Sequence, residues 1–189
     1  DDEGATWPGT VNVTGIGDGD GSAYGLTGHG TAAAIVEIPG TGGQEFLSPI
    51  WSYDGSNTKG YARCLKSTDG GMTWAVLPTP IVPYSASYDT SEHHIAIVRR
   101  PSGAIRLLCA IVKLNGAATI ETCYSDDLGV SWSSMVTALT NATASPAIIQ
   151  LVDDSVVMLY RNLVDSEHAW MARSTDGGAT FPTTQRQVV

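Results

Sequence analysis

Apolar and polar residues alternate along most of this chain in short runs, and Gly, Pro, Asn or Asp breaks each run. That pattern predicts strands joined by turns, and no stretch carries the helical period. The strict alternation Thr10-Val11-Asn12-Val13-Thr14 reads as one edge strand within a Gly/Asp-rich segment, residues 1–30. From residue 31 onward the runs fall into three groups of four. The first group predicts strands at 32–38, 45–53, 60–66 and after Trp74. The second predicts them at 94–99, 105–112, 119–124 and 133–139. The third predicts them at 147–152, 155–160, 168–173 and 183–189. Turn signals stand between them at Pro39-Gly40, Pro101-Ser102-Gly103, Asn115-Gly116 and Asp153-Asp154. The expected fold is all-β, with units at about 31–80, 92–140 and 145–189.

One phrase closes the third strand of every unit. It reads Ser67-Thr68-Asp69-Gly70-Gly71-Met72-Thr73-Trp74, then Ser125-Asp126-Asp127-Leu128-Gly129-Val130-Ser131-Trp132, then Ser174-Thr175-Asp176-Gly177-Gly178-Ala179-Thr180-Phe181. The copies start at 67, 125 and 174, so they lie 58 and 49 residues apart. Self-similarity near this period marks a repeat architecture. The chemistry is that of a turn: the Asp accepts backbone N–H groups, the Gly takes positive φ, and the hydroxyls satisfy what remains. The terminal aromatic can pin the turn to its sheet. The pattern Ser-x-Asp-x-Gly-x-(Ser/Thr)-aromatic resembles the Asp-box of the sialidase, or BNR-repeat, family of β-propellers. The resemblance covers about residues 31–189. It implies four-stranded blades, and three blades make half of a six-bladed sialidase-type ring. The missing blades would come from the parent chain, a partner or a second copy. The open flanks of such a half-ring are expected to expose Ala33, Ile35 and Leu47 or their neighbours on one side, and Ile149, Met158 and Trp170 or theirs on the other. Thr10–Thr14 would then serve as an edge-closing strand.

Charge narrows the function. The net charge is −9 with only 10 Lys+Arg, and no basic run exceeds Arg99-Arg100, which argues against nucleic acid as a partner. No apolar run reaches the length of a membrane-spanning helix. The chain does not begin with Met and reads as a processed or excised piece. Its place is expected to be extracellular or surface-exposed, secreted or on a virion or cell surface. Cys64, Cys109 and Cys123 make no disulfide framework and read as small buried hydrophobes. Asp18-Gly19-Asp20-Gly21-Ser22 suggests calcium, but the twelfth position of the loop is His29 where a Glu is needed. No metal and no cofactor is expected.

In an up-down-up-down blade the repeated turns mark the back face. The working face then collects 54–59, 113–118, 164–167, 80–93 and 140–145, and function tends to sit on such loops. The segment from Pro83 to His94 is rich in Tyr, Asp, Glu and His. It supplies Tyr84, Tyr88 and Asp89 as candidate nucleophile and acid, and His93 as a ligand contact beside Asp54. Arg161 ends an apolar strand next to a working-face loop, where a guanidinium suits a carboxylate bidentately. The family resemblance implies that Pro146–Arg161 is the strand pair ending in one of three carboxylate-binding arginines. It also implies a Glu near position 145, where this chain has Ser145. The family's Arg-Ile-Pro motif is absent from Gly30–Ile35. Sialidases use a Tyr nucleophile, so an exo-sialidase whose site is completed by further blades or a second copy stands as one expectation. A binding module for glycan, sialylated or not, or a structural part of a surface assembly is the other, and the missing catalytic positions favour it.

Overall fold

The computed structural model describes residues 13–14, 29–31, 34–53, 59–100, 102–164 and 168–182. The described elements are all strands. No helix among the described residues is long and apolar enough to cross a membrane.

The first sheet contains β1 (Val13–Thr14), β2 (His29–Thr31), β3 (Val36–Glu37), β4 (Phe46–Tyr53), β5 (Gly60–Ser67) and β6 (Trp74–Val76). Its order is β1-β6-β5-β4-β2, with β3 also on β4. The second sheet contains β7 (Asp89–Arg99), β8 (Ile105–Asn115), β9 (Ala117–Ser125) and β10 (Val136–Thr140) in sequence order. The third contains β11 (Ala142–Gln150), β12 (Val156–Asn162) and β13 (Ala169–Ser174). The expected fourth strand of this sheet, 183–189, lies outside the described residues. Successive strands pair antiparallel throughout. The exception is β1, which pairs parallel to Trp74 and Ala75 on the outer edge of the first sheet. The alternating stretch is thus an edge strand where it is described, and it joins the sheet that follows it.

Two cores hold the sheets together. Leu47, Ala62 and Cys64 of the first sheet meet Ile95, Leu107, Cys109, Ile111 and Cys123 of the second. Val98, Leu108, Val112 and Ile120 of the second meet Ile148, Val156, Met158 and Phe181 at the third. Both faces of the second sheet are therefore buried. This explains why Leu107–Val112 is an unbroken apolar run in which every residue is buried. Each large side chain so buried contributes roughly 1.5–3 kcal/mol. All three cysteines are free and buried. Burial raises the Cys64 thiol to about 12.

Three expectations need correction. Leu47, Met158 and Trp170 do not lie on open flanks. Leu47 and Met158 are fully buried between sheets and Trp170 is 7% exposed. Their strand parity points them toward the second sheet, and Ile35 and Ile149, at 65% and 60% exposed, take the open positions. Ala33 lies outside the described residues. The strand expected at 94–99 starts at Asp89, and the one expected at 147–152 starts at Ala142. Both contain a β-bulge, between Ser91 and His93 and between Thr143 and Ala147. An extra residue breaks the period of two, so a bulged polar strand reads as a loop. Only Asn141, at φ 53°, separates β10 from β11.

Candidate functional site

The repeated turn forms the same hydrogen-bond set three times. In the second copy Asp127 Oδ1 accepts from Ser125 Oγ at 2.7 Å and from the Ser131 N–H at 2.8 Å. Its Oδ2 accepts from Ser131 Oγ at 2.5 Å. Ser125 Oγ accepts the Gly129 N–H. Ser67, Asp69, Gly71 and Thr73 repeat this in the first copy, and Ser174, Asp176, Gly178 and Thr180 in the third. The aromatic positions differ. Trp74 donates its indole N–H to Gly71 O at 3.0 Å. Trp132 packs against the core between the first two sheets, and Phe181 is buried in the core between the last two. These bonds hold each turn from within.

The opposite ends of the strands carry the other chemistry. Tyr84 is exposed and meets Tyr61 edge-on at 6.3 Å between ring centroids. Tyr88 packs against the first core, with Lys113 Nζ 5.0 Å from its ring centroid. Asp89 opens β7 and accepts the Gly60 N–H, while Thr90 Oγ1 donates to Gly60 O. The two residues clamp the start of β5 to β7. His93, expected in a surface loop, is drawn into β7 and is 2% exposed. Neither ring nitrogen meets a partner at hydrogen-bonding geometry among the described residues. Burial lowers its pKa to about 4, against a smaller opposing pull from the Ile50 backbone, so the ring is neutral at pH 7. Asp54 lies outside the described residues. The structure therefore brings Tyr84, Tyr88 and Asp89 to the junction of the first two sheets, and sets Arg161 apart from them on the third.

Arg161 sits one step from the end of β12, in register with Thr143 of β11 and Ala169 of β13. Its side chain is exposed. Among the described arginines it alone has neither a hydrogen bond nor an ion pair. Arg100 and Arg106 share Asp126, Arg173 holds Asp153, Arg99 bonds Gly103 O, and Arg63 is buried and bonds Leu77 O. Arg161 lines an open depression of about 410 Å³ with Ala144, Ser145, Leu159, Tyr160 and His168. Tyr160, which lines it, pairs with Trp170, with ring centroids 6.5 Å apart. At position 145, where the resemblance implies a Glu, the Ser145 N–H donates to Glu92 Oε2 of the neighbouring sheet at 2.7 Å. Sequence reasoning passed over Glu92, Tyr160 and His168 here. Tyr160 was the one with a signal, since it directly precedes Arg161.

A second cavity of about 470 Å³ lies where β7, β11 and the start of β3 come together, lined by Ala34–Val36, His94–Ile97 and Ile148–Gln150. Strands that converge in this way are the inner strands of radially arranged blades.

The family model of the BNR repeat-like domain matches residues 50–188. The chain belongs to this family. The likeness to sialidase-type repeats that the three turns carry is thereby borne out. No curated protein matches this BNR repeat-like chain. Among solved structures it is similar to the Hadza microbial sialidase Hz136, at 19% identity and TM-score 0.60, covering 84% of this chain and 30% of that one. It is similar to the intramolecular trans-sialidase from Ruminococcus gnavus, at 24% identity and TM-score 0.54, covering 69% and 27%. It is also similar to the α-L-arabinofuranosidase Arb93A from Fusarium graminearum, at 15% identity and TM-score 0.60, covering 87% and 48%. The BNR repeat-like chain spans less than half the length of each of these structures. What they share with it is the fold, an all-β propeller section of three blades.

Proposed function

We propose that this BNR repeat-like chain is a carbohydrate-recognition section of a sialidase-like propeller, and that the depression around Arg161 binds an acidic sugar. The observation that supports this most is the exposed Arg161 guanidinium, which no carboxylate holds among the described residues although the chain carries a net charge of −9. An arginine left unpaired in an acidic protein is available to an external anion, and its fork matches a carboxylate. The repeated turns act as Asp-boxes at the back. Further blades, from the parent chain, a partner or a second copy, complete the ring to six. A glycan ligand suits an extracellular or surface location. The structural neighbours named for sialidase and arabinofuranosidase activity support a carbohydrate ligand in general.

The second reading is an exo-sialidase-type hydrolase. Tyr160 stands in the same depression as Arg161, and a tyrosine is the nucleophile that sialidases use. The two readings separate on a fluorogenic sialoside. The binding reading expects no turnover by the assembled protein, and the hydrolase reading expects turnover that Tyr160→Phe abolishes. Titration with sialyllactose tests what they share. Arg161→Ala is expected to weaken binding by a factor of about ten or more, since a charge-assisted contact is worth roughly 1.5–3 kcal/mol. Unchanged affinity removes Arg161 from the site.

A further inference from the structure

We propose that His93 is an acid-sensitive latch between the first and second sheets: its neutral ring lets them pack, and a proton on the ring parts them. The first support is where the ring lies. His93 is 2% exposed, and it pairs in register with Ile111, a member of the core that joins these two sheets. Neither of its nitrogens has a hydrogen-bond partner among the described residues. An unsatisfied buried polar group in a native fold calls for a reason. An apolar side chain would fill this place without that cost. What the imidazole adds is the ability to take up a proton in mild acid.

The second support is that the charged groups around the ring are engaged elsewhere. On its own strand, Asp89 accepts the Gly60 N–H, Glu92 accepts the Ser145 N–H, and His94 accepts the Ile148 N–H. On the same face of the second sheet Glu121 stands two strands away, in the row His93-Ile111-Glu121. Its Oε1 is held by Thr119, Thr137 and Lys113. From the first sheet, β4 brings no charged residue. Glu37 of β3 accepts the Gly43 N–H, Lys66 of β5 pairs with Glu45, and Arg63 bonds Leu77 O. An imidazolium here would therefore be buried without a counter-charge. Burial holds the pKa at about 4 against the opposing pull of the Ile50 backbone, and the charge on His94 lowers it further. Once the junction opens, the ring returns to its ordinary value near 6.5. The packed junction is thus fully stabilised above that value and loses this stability as the pH falls toward 4. Between pH 7 and pH 5 the balance moves toward the open junction by roughly twentyfold.

The chain carries its own reporters, because Cys64, Cys109 and Cys123 are free and all belong to this core. The test is labelling of these thiols by dithiodipyridine, which reacts in acid as well as at neutral pH. Each rate is divided by that of the urea-unfolded chain at the same pH. The normalised rate of the parent is expected to rise by about tenfold or more from pH 7 to pH 5. His93→Leu, which fills the space and takes no proton, is expected to show no rise. His93→Gln does the same should the leucine variant fail to fold. Asp89→Asn keeps an oxygen for the Gly60 N–H and is expected to respond as the parent does. Amide exchange at Val156, Val157 and Met158 in the third sheet is expected to stay slow at pH 5. A parent rate that does not rise, or a rise that the His93 variants share, overturns the inference. A response that Asp89→Asn abolishes overturns it too. Protection lost in the third sheet in step with the thiols makes the event global unfolding and also overturns it.

Discussion

At Asp127 three donors converge on one exposed carboxylate, and all three lie within four residues of it. Bonds from the Ser131 hydroxyl and N–H and from Ser125 lower its pKa to about 2. A depressed folded-state pKa stabilises the fold above the unfolded value near 4, and that contribution is lost as pH falls toward 2. Asp127→Ala is therefore expected to melt at lower temperature than the parent at pH 7. The gap should close as the pH drops through the window from 4 to 2, as followed by circular dichroism. Sugar binding should be unaffected; a loss of binding at unchanged melting temperature would move this turn to the working face. The same locality explains what sequence reasoning could see. Every bond of the repeated turn is short-range, so the eight residues announce it. Glu92 and Ser145 are 53 residues apart, and nothing near either one names the other. His93 was misplaced for a related reason: the bulge beside it hides the strand that buries it.

Among the elements, the repeated turns differ in what lies behind them. A Cβ on Gly129 would come within 2.8 Å of Leu77 Cδ1, and one on Gly178 within 2.3 Å of Leu108 Cδ2. Each turn thus rests on the preceding sheet. Gly71, in the first copy, has only the ring of Trp74 at 4.0 Å. All three glycines have positive φ, between 86° and 91°. Alanine at any of them meets the same backbone strain, about 1–2 kcal/mol. Gly129→Ala and Gly178→Ala add a steric clash, so both are expected to lower the melting temperature more than Gly71→Ala does. Equal losses would mean that the leucines yield freely. Gly60 is tighter still: a Cβ would meet Thr90 O at 2.2 Å. A backbone atom cannot swing aside, so Gly60→Ala is expected to part β5 from β7 and cost about 1–3 kcal/mol in a denaturant melt. A strand such as β13 was legible because burial alternates along it. The middle sheet was legible as a continuous apolar run instead.

Across the whole molecule the two flanks are unequal. On the first sheet, the face turned away from the second buries Ile50, Tyr61 and Leu65. On the third sheet, the corresponding face leaves Ile149 60% and Leu159 43% exposed. Exposed apolar faces of this kind mark association sites. Replacing both residues with Lys is expected to abolish any concentration-dependent self-association in sedimentation, with the melting transition retained. Association that survives the double variant would place the contact elsewhere. A different consequence follows from the second sheet being covered on both faces. Its central strand, β8, has hydrogen-bonded neighbours on each side and buried side chains above and below. Amide protons there can reach solvent only when the cores on both sides open together, so they report the global unfolding free energy. The amides of Leu107–Val112 should be the last to exchange with deuterium, after those of the edge strand β10. Any protein that unzips from its flanks inward keeps this strip of backbone until the end.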